Sequence, residues 1–123
     1  APLILPLVVV ALSVPPALTA QSVVDPSRLV RSTVLVDNEL VLMVEHRYEP
    51  GAVTEEHTHP GPRTVYVVEG GFLEFVAPDG TVSQVEVMRG QALWRPAETH
   101  AVRNVGPTRV TVVETELKDG AAP

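Results

Sequence analysis

The chain has 123 residues, a mass of 13.2 kDa and a formal net charge of −6. That is room for one domain, and the acidic balance excludes the basic footprint of a nucleic-acid binder. The absence of cysteine excludes a disulfide scaffold and a thiol nucleophile, and a hydrophobic content of 45% excludes a disordered chain. No charged side chain precedes Asp25, so residues 1–20 are a separate object. Their apolar run from Leu3 to Leu12 is broken by Pro6. It is shorter than the roughly 20 residues a bilayer span needs. The run, the helix-ending Pro15-Pro16 and the small residues Ala17 to Ala20 fit a secretory signal peptide cut after Ala20. The expected location is therefore periplasmic or secreted, with no membrane attachment once the leader is removed. The alternative is an uncleaved anchor or an arm packed on a partner.

Residues 21–37 are expected to be an N-terminal arm and a first strand. From Leu29 onward the hydrophobic period is two, not 3.6. Leu40, Leu42, Val44, His46 and Tyr48 alternate with Val41, Met43, Glu45 and Arg47. Val65, Val67 and Glu69 alternate with Thr64, Tyr66 and Val68, and residues 81–87 and 109–117 repeat the pattern. Turn residues punctuate these runs at Asp37-Asn38, Glu49-Pro50-Gly51, Pro60-Gly61-Pro62, Gly70-Gly71, Pro78-Asp79-Gly80, Arg89-Gly90 and Gly106-Pro107. The pattern predicts an all-β protein of eight or nine antiparallel strands in a sandwich or barrel. Residues 38–118 are expected to hold these strands, and 119–123 are expected to be a tail. So small a core makes a homodimer through an edge of the sheet the expected assembly.

His57 and His59 stand at i and i+2, which puts both imidazoles on one face of a strand. Such a pair is weak evidence for a metal by itself. Its glycine and proline frame carries more. The spacing Gly51-x5-His57-x-His59-x3-Arg63-x6-Gly70 resembles the first cupin motif, with arginine where that family usually carries glutamate. Gly90-x5-Pro96-x3-His100-x3-Asn104 resembles the second, one residue short between proline and histidine and with Glu98 where glycine is usual. The resemblance implies an antiparallel jelly-roll β-barrel in which the two motifs face each other. It also implies that His57, His59 and His100 hold a divalent transition metal, one of Fe(II), Mn(II), Ni(II), Cu(II) or Zn(II), with open positions for a small-molecule ligand.

Arg63 is the informative departure, because a guanidinium cannot be a metal ligand. Either it points into the pocket and binds a substrate carboxylate, or it swings away and pairs with Glu55, Glu56 or Glu69. Glu55 shares strand parity with His57 and His59 and is a candidate replacement ligand; with Arg63 it is also a candidate to orient substrate or take a proton. His46 is expected to be packed or at the surface rather than a ligand. Tyr66 and Trp94 are expected in the core, Arg95 and Arg103 on solvated faces. Asn104 is expected to be a hydrogen-bonding turn or strand residue, and Gly51, Gly70 and Gly90 turn residues of positive φ. No Ser-His-Asp arrangement is discernible. Three functions follow: a metal-dependent enzyme of dioxygenase or isomerase/lyase type acting on a small anionic substrate, a module that holds a metal or small molecule without turnover, or a metal-free structural barrel.

Overall fold

The computed structural model describes residues 2–4, 6 and 24–119. The proposed leader and its cut site therefore lie almost wholly outside the described residues. A 3-10 turn, Pro26–Leu29, opens the described barrel and is capped by the Asp25 side chain, which accepts from the Ser27 amide at 3.0 Å. Among the described residues nine strands follow: β1 (Val30–Asp37), β2 (Val41–Tyr48), β3 (His57–His59), β4 (Arg63–Glu69), β5 (Gly71–Val76), β6 (Val82–Val87), β7 (Ala92–Arg95), β8 (Glu98–Asn104) and β9 (Val110–Leu117). They form a five-stranded sheet in the order β1-β2-β9-β4-β7 and a four-stranded sheet in the order β3-β8-β5-β6, with every pairing antiparallel. This is a jelly-roll barrel: the alternation predicts the antiparallel strands, and the cupin resemblance implies this arrangement of them.

The period-two pattern decides what fills it. Val65 and Val67 of β4, Val110 and Val112 of β9, Leu73 of β5, Val87 of β6 and Val102 of β8 point inward and form one cluster with Tyr48 and Ala52. Val67 and Val110 are fully buried, and each such side chain stabilises the fold by about 1.5–3 kcal/mol. Tyr66 and Trp94 are a correction. The parity that turns Val65 and Leu93 inward turns these two outward, and they are 51% and 61% exposed on the outer face of the five-stranded sheet.

Two corners set the register near the mouth. Asn104 is 2% exposed; its Nδ2 donates to the carbonyls of Tyr48 and Thr108, each at 2.8 Å, and its Oδ1 accepts from the Gly106 amide at 3.0 Å. It thus joins the end of β8 to β2 and to the start of β9, the hydrogen-bonding role its sequence position suggests. Gly51 and Gly90 take positive φ (85° and 84°) as expected of turn residues. Gly70 does not, and its requirement is space: a Cβ there would stand 2.5 Å from the Val87 carbonyl oxygen.

Candidate metal centre

Strands β3 and β8 bring the three motif histidines together. His57 is directly opposite His100 in the ladder, and His59 is opposite Glu98. Because i and i+2 share a face, all three imidazoles enter the same space. Their ring centroids are 4.8, 4.8 and 5.0 Å apart with near-perpendicular planes. One ring nitrogen from each lies within 4.8 Å of the others.

The protonation pattern follows from the neighbours. His57 Nδ1 is 2.8 Å from the Glu55 carbonyl oxygen, which can only accept, so Nδ1 carries the proton and Nε2 keeps its lone pair. Fixing one imidazole nitrogen to free the other is the arrangement that metal-ligating histidines show. His59 Nε2 and His100 Nε2 face each other at 3.2 Å. Two nitrogens bound tetrahedrally to one ion at about 2.1 Å would lie roughly 3.4 Å apart. Burial lowers the pKa of His59 and of His100 to about 4, so both are neutral at pH 7, the form a metal binds. His100 is 2% exposed, and its Nδ1 lies 2.6 Å from Glu98 Oε1, out of line for a hydrogen bond. Phe75 stacks on the His100 ring at 5.4 Å, and Arg95 lies 4.3 Å over Phe75, so the imidazole is clamped from outside the cluster. The donor set and its supports fit a divalent transition ion.

Arg63 points inward, as the first expectation has it, but its partners there are groups of the protein itself. It is 1% exposed inside the barrel, so it does not swing out to Glu55, Glu56 or Glu69. Glu69 is taken by Arg109, at 2.7 and 3.0 Å, and by Thr111. Arg63 Nε donates to Glu114 Oε1 at 3.2 Å, its Nη1 donates to the Pro96 carbonyl at 3.0 Å, and its Nη2 lies 3.6 Å from Glu98 Oε2. These partners occupy the guanidinium, which removes the reason for expecting an anionic substrate at Arg63. Glu98 also accepts from Arg95 at 2.6 Å. Burial pushes the Glu98 carboxyl up, but Arg95, His100 and Arg63 outweigh it and hold it below the usual carboxylate range. The glutamate that departs from the glycine of the second motif is therefore the bridge between Arg63 and His100.

Glu55 contributes its backbone rather than its side chain: the residue is exposed, and its carbonyl orients His57. His46 is not one of the converging histidines; it lies between Ser32 and Glu114. Arg95 and Arg103 are only partly solvated, Arg95 on Glu98 and Arg103 near Glu74 at 3.4 Å. Glu98 and Glu114 are the residues that spacing arguments missed. Glu114 carried a signal, since it continues the inward parity of Val110 and Val112 and so places a carboxylate on an apolar face.

A cavity of about 400 Å³ opens beside the cluster, lined by Ser32, His46, Tyr48, Glu55, His57 and His59 among others. A small antiparallel β-barrel that brings three motif histidines together on two paired strands defines the class of protein. A family model described as the cupin domain matches residues 44–115, and the chain belongs to the cupin family. It is 38% identical over 87 residues to the β-alanine degradation protein BauB of Pseudomonas aeruginosa, covering 70% of this chain and 90% of that protein. The crystal structure of a cupin domain from Bordetella pertussis is similar with a TM-score of 0.67 at 33% identity, over 72% of this chain and 93% of the other. The polyketide cyclase RemF of Streptomyces resistomycificus shares the fold alone, with a TM-score of 0.58 at 22% identity over 77% of this chain and 70% of that one.

Proposed function

We propose that this protein is a metal-dependent cupin in which His57, His59 and His100 hold one divalent transition ion and the adjoining cavity takes a small polar ligand. The convergence of three ring nitrogens within 4.8 Å carries this reading. A bound ion would supply a Lewis acid that polarises a ligand oxygen or nitrogen. The lining favours a neutral or amine-bearing ligand over an anion: among the described residues it includes Glu55 and Glu56 and no arginine or lysine. The relative BauB is named for β-alanine degradation, and β-alanine is a small amine-bearing compound. Export to the periplasm or beyond, based on residues 1–20, and pairing of two copies through the sheet that exposes Tyr66 and Trp94 complete the proposal.

Calorimetric titration of the stripped protein with Fe(II), Mn(II), Ni(II), Cu(II) and Zn(II) tests it. One site is expected, weakened at least tenfold in His57→Ala and in His100→Ala. Equal affinity in wild type and both variants would overturn it. Oxygen uptake with a panel of thiols, diketones and catechols then separates an oxygenase from a module that only holds its ligand.

A further inference from the structure

The cavity has a second set of groups that the three-histidine cluster does not use. Ser32 on β1 stands directly opposite His46 on β2. Its hydroxyl is 2.7 Å from His46 Nδ1, and His46 Nε2 is 3.0 Å from Glu114 Oε2. Ser32 and His46 both line the cavity. Exposure falls along the chain of contacts: Ser32 is exposed, while the side chains of His46 and Glu114 are 20% and 14% exposed.

The direction of the hydrogen bond to Glu114 can be deduced. Burial pushes the Glu114 carboxyl up, but the hydrogen bond from His46 and the charges of His46 and Arg63 outweigh it and hold its pKa down at about 2. An ionised carboxylate only accepts, so His46 Nε2 carries the proton it donates to Glu114. In the neutral form of the ring, the form a general base needs, Nδ1 is then the acceptor and the Ser32 hydroxyl donates to it at 2.7 Å. Arg63 holds the other Glu114 oxygen at 3.2 Å, and Tyr48 stacks beside the His46 ring at 5.9 Å, so carboxylate and imidazole are both fixed. A hydroxyl donating to an imidazole, which is itself held by a buried carboxylate, is the arrangement that activates a serine.

We propose that Ser32, His46 and Glu114 form a second reactive centre, with Ser32 the nucleophile, His46 the base and Glu114 the positioning residue. Its substrate class is a small carboxylic ester that fits the cavity of about 400 Å³. Ser32 Oγ bonds to the acyl carbon as its proton passes to His46 Nδ1. The bond from that carbon to the leaving alcohol oxygen breaks, and the alcohol takes the proton from His46. Water then attacks the acyl-serine with His46 again as base. The carboxylic acid leaves, and the Ser32 hydroxyl is restored. The proposal does not rest on the metal reading, because no step uses His57, His59 or His100.

The experiment is labelling of the folded, full-length protein with a fluorophosphonate, followed by peptide mass spectrometry. The Ser32 oxygen bonds to phosphorus, fluoride leaves, and His46 takes the proton. Labelling is expected on Ser32 at least tenfold faster than on Ser27 or Ser83, absent in Ser32→Ala, and slowed about 100-fold in His46→Ala, the size of a general-base contribution. Glu114→Gln has a distinct signature. Arg63 can only donate, so the amide oxygen must face Arg63 and the NH₂ must face His46 Nε2, which moves the ring proton to Nδ1. Nitrogen chemical shifts of His46 should report that reversal in a folded variant, together with loss of labelling. If Ser32 labels no faster than the other serines, or equally fast in His46→Ala, the contacts only tie β1 to the sheet and the proposal is overturned. A reversed tautomer with undiminished labelling would equally overturn it.

Discussion

Replacing Arg63 by methionine removes the charge at the centre of the barrel while keeping most of its volume. Three partners lose it: Glu114 Oε1 at 3.2 Å, the Pro96 carbonyl at 3.0 Å and Glu98 Oε2 at 3.6 Å. Glu114 keeps His46 and Glu98 keeps Arg95, so neither carboxylate is stranded completely. Breaking a buried pair by deleting one partner costs about 3–5 kcal/mol. Whole domains of this kind hold only about 5–15 kcal/mol. At roughly 4–8 °C per kcal/mol for a domain of this size, Arg63→Met should lower Tm by about 12–40 °C. Thermal and urea unfolding of Arg63→Met, Glu114→Leu and the double variant form the assay. The double variant should be less destabilised than the two losses added, by about 0.5–3 kcal/mol. Arg63→Glu, although it installs the family's usual residue, sets a third carboxylate beside Glu98 and Glu114; it should cost at least as much as methionine and should not tighten metal binding. A loss below 5 °C in Arg63→Met, or strict additivity in the cycle, would refute the claim that Arg63 organises the interior.

Other predictions concern pH, the corner residue and assembly. Burial holds His59 and His100 near 4 in the folded chain, below their ordinary 6.5, so their stabilising contribution is present above pH 6.5 and lost as pH falls through 4. Discounted for partial solvation, His59 contributes on the order of 1–2 kcal/mol, and the buried His100 on the order of 3 kcal/mol. Glu114, at about 2 rather than 4.5, adds a second loss of about 3 kcal/mol between pH 4.5 and 2. The urea midpoint of metal-free protein should therefore fall in two stages on acidification, and His59→Gln should diminish only the upper one. Asn104→Ala leaves the buried Tyr48 carbonyl without its donor and should cost about 1–3 kcal/mol in urea unfolding. Trp94→Glu on the exposed sheet face should shift sedimentation towards the monomer with little change in the monomer's secondary structure.

The barrel was legible because strands declare themselves by period two and turns by glycine and proline. His57 and His59 were legible for the same reason, since parity alone places them on one face. The partnership with His100 depended on motif spacing, because ladder register between β3 and β8 is a tertiary fact. Arg63 was misplaced because its partners lie 51 residues away in Glu114 and 33 away in Pro96; no local pattern states which inward carboxylate meets which inward guanidinium. Tyr66 and Trp94 show the opposite failure. Their parity said outward, and the expectation followed residue type instead. The Ser32–His46–Glu114 arrangement spans three strands and carries no motif, so it emerges only once β1, β2 and β9 are laid side by side.

Three imidazoles on two adjacent, paired strands are proposed to make a metal site. Metal content and identity of the untagged protein, measured by plasma mass spectrometry as purified, test it most directly. The account predicts one transition ion per chain, lost in both His57→Ala and His100→Ala. Protein free of metal as purified and after reloading, or full occupancy in those variants, would contradict it.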